Sequence, residues 1–429
     1  MAFTPTSPLM MDRRSFLGIT AGAGASLALT PELLRALRQS DGTLLQPQAG
    51  KLLQRAIPST GEKLPVIGLG FANHAACADR AALKDVLKTF AANGGKFFDT
   101  NHGNAPGAQD IPIALAHELG LQNKLFWSAR GIAGSGAPRT PPSPEVVKAE
   151  VESVLANFKL PKLDMVMGFP DAEPAHWALL VEAKKQGRIR YLAGMVASFM
   201  PLQRFESIMR TDPLDFIGVD YAVDRRGAED RILPLAMERK LGVMAVFPFG
   251  GANGESCVSE KGLFARVANT PLPAWAAEFD AKTWAQFFLK YVISHPAVTV
   301  ARVGTTKPHH MLDNLGGGVG RLPNEAMRKR MAEFIDALPA IVAPMILDRY
   351  VGEYQGASGL TATFRRDGDK LFARLGTNPE ALLVARSATR FVHPQGSILQ
   401  FQLTGQGPAT RAVGVTLEQG GQTIMLERK

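Results

Sequence analysis

Hydrophobic positions along the chain change their period once ordered sequence begins at Ile57. Up to about Leu338, short β-branched and aromatic runs alternate with stretches whose apolar residues recur every three or four positions, the marks of buried strands and amphipathic helices. The strand-like runs are Lys96 to Asp99, Leu125 to Ala129, Leu163 to Phe169, Ile189 to Gly194, Ile217 to Tyr221, Val243 to Phe247 and Val298 to Val303. Helical periodicity falls between them, as in Ala82 to Ala92, Ala175 to Lys185 and Glu229 to Arg239. The clearest unit is Trp284 to Asn314. Trp284, Phe287, Phe288, Tyr291 and Val292 face one side of a helix that His295-Pro296 ends, and a strand follows. Gly304-Thr305-Thr306-Lys307 is then a tight polar turn, and Pro308 opens a second helix where its missing N–H costs nothing. Free N–H groups at that helix start, beside two hydroxyls and an ammonium, suit a phosphate.

Repeated βα units over this length predict an α/β protein, a (β/α)8 TIM barrel with its active residues just after the strands. A doubly wound open sheet competes. It calls for G-x-G-x-x-G after an early strand, and Gly68-Leu69-Gly70 lacks the third glycine and a following acidic partner. After Ala343 the period becomes two. Runs around Tyr350 to Tyr354, Leu360 to Phe364, Lys370 to Leu375, Ala381 to Val384, Arg390 to Val392, Leu399 to Gln402 and Thr423 to Leu426, separated by turns such as Arg366-Asp367-Gly368-Asp369, predict a small antiparallel all-β domain.

A chain of 429 residues, 46% hydrophobic and 20% charged, can hold one large domain and a small one. The expected division is 1–30 signal segment, 31–55 spacer, 56–340 barrel and 345–429 β-domain. The net charge of +9 comes from scattered basic residues with no nucleic-acid motif, so it reads as a solvated surface. Cys77 and Cys257 lack metal-ligand spacing; they are plain thiols or one disulfide. No metal site is expected, and no serine nucleophile elbow or Cys/His dyad appears.

At the N-terminus, Arg13-Arg14-Ser15-Phe16-Leu17 precedes a Gly/Ala-rich apolar run to Leu29, too short to span a bilayer. It resembles a twin-arginine export signal, which implies a periplasmic protein that meets the export machinery already folded.

The segment from Ile57 to about Leu338 resembles the aldo-keto reductases, especially exported members, through IPSTGEKLPVIGLG, Phe98-Asp99-Thr100, Gly187 to Tyr191, Arg225 to Ala236 and WAQFFLKYVISHPAVT with HHMLDN. The resemblance implies a barrel that reduces a small carbonyl with NADP(H), using Asp, Tyr, Lys and His over the nicotinamide. This sequence matches only the first, Asp99. The Tyr position falls on Asn104, the Lys on Arg130 and the His on Phe169. Arg stays protonated and Phe has no proton, so the remaining acid close to Asp99 is His102, with a loop histidine as the competing reading. The candidate catalytic set is therefore Asp99, His102 and Arg130.

The same resemblance implies that Tyr221 stacks on the nicotinamide and that Phe247 begins a loop along the pyrophosphate. It assigns the adenosine phosphate to Gly304, Thr305, Thr306 and Lys307, and the adenine flanks to His310 and Asn314. Gly218 stands where the family's carboxamide-reading Gln is expected. Arg302 is a further phosphate contact or an outward salt bridge. The C-terminal strands resemble the small β-domain appended to exported serine hydrolases, which implies packing or lid duty. Two functions follow from the sequence: an exported NADP(H)-dependent oxidoreductase with an altered catalytic set, or a binding protein that kept the barrel and lost the chemistry.

Overall fold

The computed structural model describes residues 50–70, 79–100, 110–130, 156–168, 174–195, 202–250, 262–340, 342–357, 359–404, 410–419 and 422–429, with isolated positions between 145 and 170. A hairpin of β1 (Gln54–Ala56) and β2 (Lys63–Pro65) comes first. Eight parallel strands then close a barrel in chain order: β3 (Ile67–Gly70), β4 (Phe97–Asp99), β5 (Phe126–Arg130), β6 (Leu163–Gly168), β7 (Ile189–Met195), β8 (Phe216–Asp220), β9 (Gly242–Val246) and β10 (Val300–Val303). β10 pairs with β3, which completes the expected (β/α)8 architecture.

Alternation along each strand sorts side chains to the inside or the helix layer. The floor of the interior is a run of rings: Phe97 to Phe126 at 5.5 Å, Phe126 to Tyr191 at 5.8 Å and Tyr191 to Phe216 at 5.6 Å between centroids. Gly68 gives them room, since a Cβ there would stand 2.7 Å from Phe97 Cδ1. The hairpin plugs this end. Ile57 and Leu64 are buried in the interior cluster, and Tyr191 Oη donates to Glu62 Oε2 at 2.8 Å. Arg55 Nη1 donates to the carbonyls of His295 at 2.6 Å and Val298 at 2.9 Å. The IPSTGEKLP motif is thus the barrel's bottom closure.

Outside, the helix Trp284–Ser294 starts at Thr283, whose Oγ1 accepts from the Gln286 N–H at 3.2 Å, and it buries nearly its whole length. The helix Glu325–Ala337 packs on it through Phe334 and Trp284, 6.2 Å between rings.

The period-two region forms one antiparallel sheet of nine strands: β11 (Gly352–Gly356), β12 (Thr361–Asp367), β13 (Lys370–Leu375), β14 (Ala381–Leu382), β15 (Val384–Ala385), β16 (Arg390–Val392), β17 (Ile398–Thr404), β18 (Arg411–Gln419) and β19 (Gln422–Arg428). β14 and β15 are its two edges, yet only Leu383 separates them in sequence, so the sheet curls until its edges meet. Tyr350, Tyr354, Phe364, Phe391 and Phe401 fill the inside, with Tyr350 stacked on Phe401 at 4.2 Å. The sheet meets the barrel's closing helix through Ala340 N–H to Ala385 O at 2.7 Å and Arg386 Nη1 to Ala337 O at 2.6 Å.

Candidate active site

The mouth lies at the C-terminal ends of the barrel strands. Asp99 ends β4 on the inner face and is fully buried. Ser128 Oγ, on β5, donates to its Oδ1 at 2.9 Å. The other oxygen faces Arg302 on β10, with Nε 2.5 Å from Oδ2 and only a tenth of the arginine side chain exposed. β3 lies between β10 and β4, and its inner-face residue at this level is Gly70. A Cβ on Gly70 would stand 2.3 Å from Arg302 Nε, so the bare glycine is the gap through which the arginine crosses to the aspartate. Arg302 is thus not an outward salt bridge; it is the inward partner of Asp99.

Arg130 is the last residue of β5. His102, Asn104 and Phe169 lie outside the described residues, as do Cys77, Cys257 and the N-terminal arginine pair. Beneath the mouth the interior is filled with thioethers. Around the point where a Gly218 Cβ would be, Met195 Sδ lies at 2.7 Å, Met244 Cε at 3.2 Å and Met167 Sδ at 3.8 Å. A glutamine at this position would have to displace the ends of these methionine side chains.

Tyr221 is placed differently from the expectation. β8 sends Phe216, Gly218 and Asp220 inward, so Tyr221 shares the outward face of Ile217 and Val219. It is fully buried, with its ring beside those of Tyr291 and His295. Its hydroxyl donates to Glu229 and accepts from Arg328 Nη2 at 2.5 Å. Arg328 also binds Glu229 at 2.6 Å, and Tyr291 Oη donates to the same carboxylate at 3.0 Å. Burial raises the Tyr221 hydroxyl well above the usual tyrosine range and Tyr291 to about 12. No face of the Tyr221 ring is left open for a nicotinamide.

The loops named for the cofactor follow β9 and β10. Phe247 follows β9 with φ of 52°, a left-handed conformation that is costly for a bulky residue, and its ring packs on the interior cluster. Gly250 N–H donates to Phe247 O at 2.9 Å and closes the turn. After β10, Gly304 and Lys307 are exposed, Thr306 is half-buried and Thr305 is buried. Thr305 Oγ1 accepts from the Lys307 N–H at 3.1 Å, which shapes the turn before the helix Pro308–Gly317. His310 sits in the first turn of that helix and Asn314 is buried in its second. Although much of His310 is open to solvent, the protein around its ring, then the charges of His309 and Lys307, push it down to about 4.

The model of the aldo/keto reductase family matches residues 66–332. The chain belongs to the aldo/keto reductase family. A relative, the probable aldo-keto reductase 1 of Glycine max, is 23% identical over 284 residues, 59% of this chain and 78% of that protein. The holo form of an aldo-keto reductase from Bacillus halodurans aligns with a TM-score of 0.52 at 16% identity, covering 66% of this chain and 96% of that one. An aldo-keto reductase from Klebsiella pneumoniae, solved with NADPH, gives 0.49 at 18% identity over 67% and 96%. The curled sheet lies beyond the matched residues.

Against this family background the binding set divides. The turn Gly304 to Lys307 and the helix start behind it fit a nucleotide phosphate, with first-turn N–H groups and an exposed ammonium. At the nicotinamide end, Tyr221 is consumed by its polar cluster and Gly218 is overlain by methionines. Among the described residues no group of His, Cys, Asp and Glu could hold a metal ion, and no helix is long and apolar enough to cross a membrane.

Proposed function

We propose that this aldo/keto reductase-family chain is an NADP(H)-dependent oxidoreductase of small carbonyls or alcohols, exported folded to the periplasm through its Arg13-Arg14 signal. The observation that carries the cofactor reading is the open turn Gly304 to Lys307 at the start of the helix Pro308–Gly317. Thr306, Lys307 and the helix N–H groups hold the phosphate, His310 and Asn314 border the adenine, and Phe247 begins the pyrophosphate loop. The cofactor, when bound, supplies a hydride to the carbonyl carbon. The chain then has two tasks: to stabilise the negative oxygen and to protonate it, which yields the alcohol. Arg130 supplies fixed positive charge and His102 the proton. Asp99, held by Arg302 and Ser128, fixes the end of β4.

A second reading, a barrel that binds nucleotide without reducing anything, is favoured by one observation: the charge of Asp99 is already balanced by its inward partner Arg302. Turnover of nicotinamide absorbance separates the two. The oxidoreductase reading expects His102→Ala to lower turnover by about 10² to 10⁴ and to erase the limb of the pH profile near the histidine pKa. No oxidation or reduction across a broad panel, in wild-type protein that binds NADP, establishes the second reading. For export, Arg13→Lys with Arg14→Lys should leave the protein in the cytoplasm, and unchanged export of that double variant removes the periplasmic assignment.

A further inference from the structure

Arg302 has more hydrogen-bonding capacity than its surroundings use. A guanidinium carries five N–H donors, and among the described residues its only polar partner is Asp99, approached through Nε. The side chain is nine-tenths buried, with the guanidinium laid against the Gly70 backbone. Asp99 accepts from Ser128 through Oδ1 and faces Arg302 as an ion pair through Oδ2. Asp220, the inner-face acid at the end of β8, is paired with Arg225 at 3.2 Å. Both carboxylates are thus matched by an arginine, and Met167, Met195 and Met244 crowd the interior around Gly218.

We propose that Arg302 sets substrate specificity: its Nη face receives a carboxylate, so the preferred substrates are small oxo or hydroxy acids. A planar guanidinium matches a carboxylate in two parallel hydrogen bonds, and partial burial strengthens both because water competes less. Asp99 and Gly70 fix its aim, and the methionines crowded around Gly218 favour a small substrate. The substrate class rests on the oxidoreductase reading, whereas the anion site itself is tested without turnover.

The experiment titrates oxamate, and its neutral counterpart oxamide, into the full chain by calorimetry, with and without NADP. Wild type is expected to bind oxamate and not oxamide. Arg302→Met should weaken oxamate about 10- to 100-fold, the loss typical of a hydrogen bond to a charged group. Gly70→Ala keeps the arginine but displaces its guanidinium, and should weaken oxamate comparably; circular dichroism checks that both variants fold. Oxamate binding unchanged in a folded variant, or equal binding of oxamide, overturns the proposal. So does Arg302→Met weakening NADP while sparing oxamate, because the anion is then the cofactor's. Wild type that binds NADP but not oxamate sinks this inference and leaves the oxidoreductase reading standing. Wild type that binds oxamate but no nucleotide does the reverse.

Discussion

Replacing Arg328 by Met should destabilise the barrel without touching the nucleotide. Arg328 is 11% exposed and Glu229 29%, so the substitution strands a largely buried carboxylate with two tyrosine hydroxyls. Breaking a buried pair costs about 3 to 5 kcal/mol; the partial exposure of Glu229 places this case near 3. Loss of the cation–π contact with Tyr291, 4.3 Å to the ring centroid, adds about 1 kcal/mol. At about 2 °C per kcal/mol for a unit of this size, the melting temperature should fall by about 8 °C. Tyr221→Leu should also lower it, and in both variants NADPH affinity should stay within about twofold of wild type. Thermal denaturation followed by circular dichroism, with fluorescence titration of NADPH on the same samples, reads both quantities. A melting temperature unchanged in Arg328→Met refutes the structural reading of the cluster. A Tyr221→Leu variant that melts normally but loses NADPH would restore the tyrosine to the cofactor.

Acid stability should depend on His295. Burial, then the positive charge of Arg328, holds its pKa at about 4 against the usual 6.5, and its Nδ1 accepts from the Ala297 N–H at 3.2 Å, which protonation abolishes. The unfolded chain therefore takes up a proton that the folded one refuses, so stability is full above pH 6.5 and falls as the pH drops towards 4, by about 1 to 2 kcal/mol once solvent screening of the half-buried ring is allowed for. His295→Gln should flatten that part of the denaturation profile, and an identical slope would refute the assignment. In the sheet, Phe401→Ala removes a ring packed on Tyr350, Phe364 and Phe391 and should cost about 3 to 5 kcal/mol, seen as an early unfolding step distinct from the barrel's. A single unshifted transition would contradict it.

The barrel was legible because its strands are β-branched runs separated by helical periods, and each expected run overlaps an observed strand. Tyr221 went astray by one residue. The run ends at Asp220, and period two then puts Tyr221 with Ile217 and Val219 rather than at the mouth. The Asp99 to Arg302 pair joins strands far apart in sequence that become near neighbours only when the barrel closes around β3. A signal existed in hindsight: Gly70 is a missing side chain on the strand between them. β18 escaped notice although it is the longest strand of the sheet, because Ala412 and Gly414 weaken its pattern; at Gly414 a Cβ would stand 3.0 Å from the Leu426 carbonyl oxygen. The turn Gly304 to Lys307 was readable from residue types alone, because a proline at the first helical position fixes where the free N–H groups point.

The most direct measurement of the central claim is a titration of purified wild type and Lys307→Ala with NADPH and NADH, followed by quenching of tryptophan fluorescence. Wild type should prefer NADPH by about tenfold or more, since the extra phosphate gains one or two charge-assisted hydrogen bonds, and Lys307→Ala should lose most of that preference while keeping its fold. Equal or absent affinity of folded wild-type protein for the two nucleotides would contradict the account.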